Sequence, residues 1–232
     1  MFDARRVAAV LAATLLLQPL AAATAAEDDA EKVALQPELV TSADSGRLLQ
    51  WISASRDNGK LPYIVIDKQA AAMLLYDSKG ALIGETPVLI GVGVGDESTP
   101  GIGAKSLSEI GTAERTTPAG RFVAKLGTAI GWKSVLWVDY AGSVALHAVV
   151  KDNKKERRPQ RLKSPTIDDN RITFGCINID TSFYLKQVKP TFAKGGVVYI
   201  LPEEKSLDEV FPRVRLLPLL MEGRPTPTTN ES

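Results

Sequence analysis

Cysteine and histidine each occur once in the 232 residues, as Cys176 and His147. A single thiol excludes an internal disulfide framework, and one thiol with one imidazole falls short of the usual zinc ligand sets. No metal and no other cofactor is therefore expected. Net charge is also scarce. The 28 basic residues against 27 acidic ones leave +1, so no whole-chain field points to nucleic acid or to an anionic membrane. Past the first twenty residues or so there is no apolar run long enough to span a bilayer. Internal repeats are absent too.

The start of the chain carries a clear pattern. Arg5 and Arg6 precede the apolar run from Val7 to Leu17. Small residues, Ala23-Thr24-Ala25 and Thr24-Ala25-Ala26, then stand just before the acidic Glu27-Asp28-Asp29. This reads as a secretory signal peptide over residues 1–26 and predicts a periplasmic protein with no stable membrane span after cleavage. In an oxidising compartment an unpaired cysteine is either buried and inert or kept for its reactivity.

Residues 27–60 read as a linker followed by a helix from Gly46 to about Asp57, capped by Ser45 and stopped at Gly59. From Leu61 the pattern turns strand-like. Tyr63 to Asp67 and Ala71 to Tyr76 are short apolar runs, and Asp77-Ser78-Lys79-Gly80 is a turn. The chain returns over Ala81 to Gly91. Gly91 to Gly111 is expected to be a flexible excursion, since no helix opens directly after its glycines as a dinucleotide fingerprint requires. Further strands are expected over Arg121 to Leu126, Trp132 to Tyr140 (with Trp137 and Tyr140 half-buried), Ser143 to Val150 and Lys194 to Leu201. Thr181 to Phe192 reads as a short helix capped by Asp180 or Thr181 and broken at Pro190. Ser206 to Phe211 reads as a last helical turn, in a partly disordered tail over 203–232. The expected fold class is mainly β, an antiparallel sheet protein with few helices.

A thiol nucleophile needs a base to become thiolate near neutral pH, and imidazole is the usual one. The chain offers one of each. Taken singly, a lone cysteine is more often a small buried hydrophobe, and a lone histidine a hydrogen-bonded scaffold residue. The context raises the catalytic reading. Gly175 lets the backbone turn tightly before Cys176, and the amides of Gly175 and Cys176 can then point to one place, as an oxyanion hole requires.

A histidine ending a strand, followed by Thr173-Phe174-Gly175-Cys176-Ile177-Asn178, resembles the signature of the L,D-transpeptidase (YkuD) catalytic domain family. Three more segments resemble the family in the same order: Ile64 to Gln69 with Met73 to Tyr76, Thr117-Pro118-Ala119-Gly120-Arg121-Phe122, and Gly195 to Ile200. The resemblance covers about 61–202. It implies a β-sandwich with few helices that acts on tetrapeptide stems of peptidoglycan. By position, Cys176 would be the nucleophile and His147 the base, with the Ala148 carbonyl orienting the imidazole. Thr173, Gly175 and Asn178 would line the site or hold its turn. The acyl group would pass to an amine of a second stem or to a wall-anchored acceptor protein, with D-alanine released. The same pair could instead serve an L,D-carboxypeptidase or an amidase, and a non-catalytic wall-binding domain could keep the fold. Two departures stand out: Phe174 replaces a histidine frequent in the family, and Ala148 replaces a smaller or hydroxylated residue. The basic loop 151–169, with Lys151, Lys154, Lys155, Arg157, Arg158, Arg161 and Lys163 against Asp152, Glu156, Asp168 and Asp169, reads either as a solvated loop or as a lid that meets carboxylates of an anionic peptide.

Overall fold

The computed structural model describes residues 39–129 and 134–222. The expected signal peptide, most of the expected linker, Trp132 and the end of the tail lie outside the described residues. Among those described, no helix is long and apolar enough to cross a membrane.

Ten strands form the body: β1 (Tyr63–Asp67), β2 (Ala72–Tyr76), β3 (Leu82–Pro87), β4 (Ile90–Gly91), β5 (Gly120–Gly127), β6 (Val135–Asp139), β7 (Val144–Ala148), β8 (Arg171–Thr173), β9 (Ile177–Ile179) and β10 (Gly196–Ile200). Eight make one sheet in the order β3-β2-β1-β10-β5-β6-β7-β9, and β4 pairs with β8 beside it. The mainly β expectation is met, with a mixed pattern of pairing. β1–β10 and β7–β9 are parallel, and the other junctions of the large sheet are antiparallel. Parallel pairing of β1 with β10 follows from burial. Both strands are covered on both faces, so each reads as an unbroken apolar run instead of an alternation.

β5 joins the two halves of the sheet. Gly120–Ala124 pairs with β10, and Lys125–Gly127 pairs with β6. One face of each half contributes to a shared core, with Ile64, Ile66, Val198 and Ile200 from one half and Leu136, Leu146, Ile177 and Ile179 from the other. Alternate residues of β1 and β10 (Tyr63, Val65, Val197, Tyr199) face outward into a second core. That outer layer is roofed by helix α1 (Ala43–Ser55), through Leu48, Trp51 and Ile52, and by the C-terminal segment, through Leu207, Phe211, Val214 and Leu217.

Several boundaries differ from the sequence expectation. α1 starts earlier, because the Ser42 side chain accepts from the Ser45 amide while Ser45 itself is buried in the first turn. It ends at Arg56, which takes the left-handed conformation, ahead of Gly59. The helix after the cysteine is capped by Asp180, which accepts from the Phe183 amide, and Pro190 does not break it. The backbone widens to a π-helical turn over Tyr184–Val188 and continues through Thr191, which accommodates a residue lacking an N–H. Gly91 to Gly111 includes short 3₁₀ turns, at Ile102–Ala104 and Leu107–Glu109. Tyr140 is 77 % exposed because it sits past the end of β6, edge-on to Trp137. Ser206 caps a helical turn at Leu207–Val210, and the segment through Leu217 packs on the sheet.

Candidate active site

Val144 and Leu146 of β7, and Ile177 and Ile179 of β9, point into the inner core. Strand alternation therefore turns His147 and Asn178 to the opposite face. The parallel register sets His147 beside Asn178, and Asn178 Nδ2 lies 3.3 Å from His147 Nε2. Cys176, two residues earlier, belongs by parity to the face of Asn178, at the entry to β9. Its thiol meets the Ser143 carbonyl at 3.6 Å. Ser143 holds φ +54°, a conformation costly for a non-glycine residue, in the turn that opens β7. The two candidates thus sit at one edge of the large sheet, His147 in β7 and Cys176 just ahead of the neighbouring β9.

His147 is buried, and its Nδ1 stands 2.9 Å from the Ala148 carbonyl. Burial pushes the imidazole below its ordinary value. The Ala148 carbonyl opposes that shift and the Arg158 charge adds to it. Cys176 is half-buried, and burial pushes its thiol up, against a backbone contact with Ala145 and the Arg158 charge. Both shifts favour the uncharged forms. Each direction is that of burial, which disfavours the charged form of either group.

The cysteine turn is tightly held. Gly175 has φ +118°, and a Cβ there would lie 2.6 Å from the Thr116 carbonyl, so only glycine fits. The Thr173 hydroxyl donates to the Cys176 carbonyl at 2.6 Å and accepts from the Gly175 amide at 3.1 Å. In this state the Gly175 N–H is therefore turned to Thr173, not to an open oxyanion position. The Thr117 hydroxyl accepts from the Gly91 amide and donates to the Gly175 carbonyl, each at 2.9 Å. It ties the Thr-Pro segment to the turn. Phe174 lies under the Arg115 guanidinium, 3.9 Å from the ring centroid, and Arg115 is itself fixed by the Ile110 carbonyl.

Two contributors to the site, Thr117 and Arg158, have no individual role legible in the sequence. Thr117 stood in a recognisable Thr-Pro segment, so a signal existed. Arg158 was one cation among several in the basic loop, and nothing in the local pattern marked it. It reaches Asn178 Oδ1 at 2.9 Å and pairs with Glu156. Among the described residues, no group of His, Cys, Asp and Glu side chains is placed to hold a metal ion.

No family model matches the chain, and no curated protein matches it. Among solved structures it is similar to an L,D-transpeptidase from Xylanimonas cellulosilytica, at 14% identity, covering 61% of each chain with a TM-score of 0.35. It is also similar to the helical cell shape determining protein Pgp2 from Campylobacter jejuni, at 16% identity, covering 77% of this chain and 63% of that one with a TM-score of 0.42. In both comparisons the chain spans less than two thirds of the solved chain's length.

Proposed function

We propose that this chain is an exported cysteine acyltransferase of the L,D-transpeptidase type, acting on tetrapeptide stems of peptidoglycan. The observation that carries the reading is the common face of β7 and β9. There the only histidine, its Nδ1 on a backbone carbonyl, stands beside the strand entered through the only cysteine.

In the proposed reaction His147 Nε2 takes the thiol proton as Cys176 attacks the carbonyl of the third stem residue. The new S–C bond forms, and the oxyanion is met by the Cys176 amide, with Gly175 free to join once its N–H leaves Thr173. Collapse of the intermediate breaks the C–N bond. The imidazolium protonates the departing D-alanine amine and leaves a thioester. An amine from a second stem or a wall-anchored protein then attacks the thioester with His147 again as base, and the thiol is restored. Thr173 holds the turn, and Asn178 stands against the imidazole beside the acyl position.

The test is intact-protein mass spectrometry of the mature chain with tetrapeptide muropeptides, alongside Cys176→Ala. The expected result is an acyl adduct only on the parent protein, D-alanine release and dimeric muropeptides. Release without dimers would assign the same pair to a carboxypeptidase. A folded parent with a titratable thiol, no adduct and no turnover would overturn the enzymatic reading.

A further inference from the structure

The loop 151–169 sends one side chain into the site. Arg158 opens the helical turn Arg158–Arg161, and its side chain is only 12 % exposed, with Glu156 on one edge. Its Nη1 lies 2.9 Å from Asn178 Oδ1. Asn178 Nδ2 lies 3.3 Å from His147 Nε2, and His147 Nδ1 lies 2.9 Å from the Ala148 carbonyl.

The two ends of this chain are unambiguous. A guanidinium can only donate, and a backbone carbonyl can only accept. The Asn178 atom facing Arg158 must therefore be oxygen, and the atom facing His147 must be the NH₂. An NH₂ group donates, so Nε2 presents its lone pair and the ring proton sits on Nδ1, where the Ala148 carbonyl accepts it. Among these four groups every donor finds an acceptor in this one arrangement. Turning the Asn178 amide over would set NH₂ against guanidinium.

We propose that Arg158 is a positioning residue: through Asn178 it holds the NH₂ group against Nε2 and so reinforces the Nδ1–H tautomer that the Ala148 carbonyl sets, leaving Nε2 as the nitrogen with the lone pair. The inference deepens the proposed function, since it names what prepares the base. Arg158 itself touches neither reacting atom. Without it, Asn178 can rotate, offer Oδ1 to Nε2 and stabilise the opposite tautomer. That tautomer carries a proton where the thiol proton has to go. The loop that leads into the cysteine turn thus supplies the donor-only end of the relay.

The single histidine gives a direct readout, because its two ring nitrogens are the only imidazole signals in the full chain. ¹⁵N–¹H correlation across the ring is recorded for the parent, Arg158→Lys and Arg158→Met. The parent and the lysine variant, which keeps a donor, are expected to show the proton on Nδ1. The methionine variant is expected to show both tautomers in exchange, with kcat down roughly tenfold or more and KM little changed. A folded Arg158→Met protein with the parent's tautomer ratio overturns the proposal. If that variant fails to fold, Asn178→Asp decides. Its carboxylate only accepts, so a proton must sit on Nε2, in the Nε2–H tautomer or in an imidazolium that keeps Nδ1–H on the Ala148 carbonyl, and a neutral ring protonated on Nδ1 alone there overturns the relay. The ring signals need no turnover. Loss of tautomer control in a protein that forms no acyl adduct would sustain the relay while removing the enzymatic reading, and the reverse pattern would do the opposite.

Discussion

Lys68 and Asp96 meet at 2.8 Å with both side chains closed off from solvent. The ammonium also donates to the Gly95 and Thr117 carbonyls, at 2.7 and 3.0 Å. Asp96 collects the amides of Glu203, Glu204 and Lys205 at 2.7 to 3.0 Å. Glu203 in turn pairs with Arg171, at the start of the strand leading to the cysteine turn. Through Thr117, whose hydroxyl reaches the Gly175 carbonyl, this buried cluster braces the turn from behind.

A charge left alone in such a place is expensive. Asp96→Ala strands the Lys68 ammonium with Glu203 at 3.4 Å as its remaining carboxylate. The expected loss is about 3–5 kcal/mol, read by urea denaturation. Burial works to raise the Asp96 carboxyl, but the Lys205 amide, Lys68 and the Glu203 amide outweigh it and hold it below its ordinary value. A carboxylate depressed in the folded state adds stability above its unfolded pKa, and that stability is lost as pH falls through the folded one. Parent stability should therefore decline below about pH 4, and Asp96→Asn should lack that component. An unchanged acid limb in the asparagine variant would refute the assignment.

The site should titrate as a neutral pair. With the imidazole pushed below its ordinary 6.5, the base becomes competent as pH rises through that lowered value. The acid limb of kcat/KM is thus expected below pH 6.5. Alkylation of the thiol by iodoacetamide, which reads the thiolate, should have its midpoint above the ordinary 9.0. An alkylation midpoint on the acid side of neutrality would instead reveal a preformed thiolate–imidazolium pair.

Two glycines predict opposite outcomes. Gly175→Ala forces a side chain into the Thr116 carbonyl at a positive φ, costs about 1–3 kcal/mol and slows acylation. Gly46, in the interior of α1, has nothing within 4 Å of a built Cβ. Gly46→Ala should stabilise by roughly 0.5–1 kcal/mol with turnover unchanged. Thermal melts of both variants check this.

The C-terminal segment should behave as part of the core. Phe211 is 6 % exposed, packed with Tyr199 under the outer face of the sheet. Phe211→Ala is expected to cost about 3–5 kcal/mol in urea denaturation, where a loose tail would register nothing.

What was legible in the sequence was local. The apolar runs of β1 and β10 announced strands because burial on both faces leaves no polar alternation. Cys176 and His147 announced themselves by being single. Gly175 announced a tight turn. The parallel partnership of β1 with β10 was not legible, because pairing depends on residues far apart and neither run names its mate. The link from Arg158 to Asn178 was hidden for a related reason: a cation in a charged loop has no periodicity, and its value lies in what folds against it. Ser45 reads as the cap from its neighbours alone. Only the packing of α1, which buries Ser45, hands that role to Ser42.

The pairing of Tyr63 with Val197 sets an order of events during synthesis. β1, β2 and β3 can zip as consecutive hairpins early, but the other edge of β1 must wait for one of the last strands to emerge. Until then the apolar strand from Tyr63 to Ile66 presents unpaired amides and carbonyls, a template for any extended chain nearby. So distant a closure makes folding slow relative to local structure formation. The sheet that carries the cysteine and histidine is therefore completed late, and nothing upstream of Gly196 can close it alone.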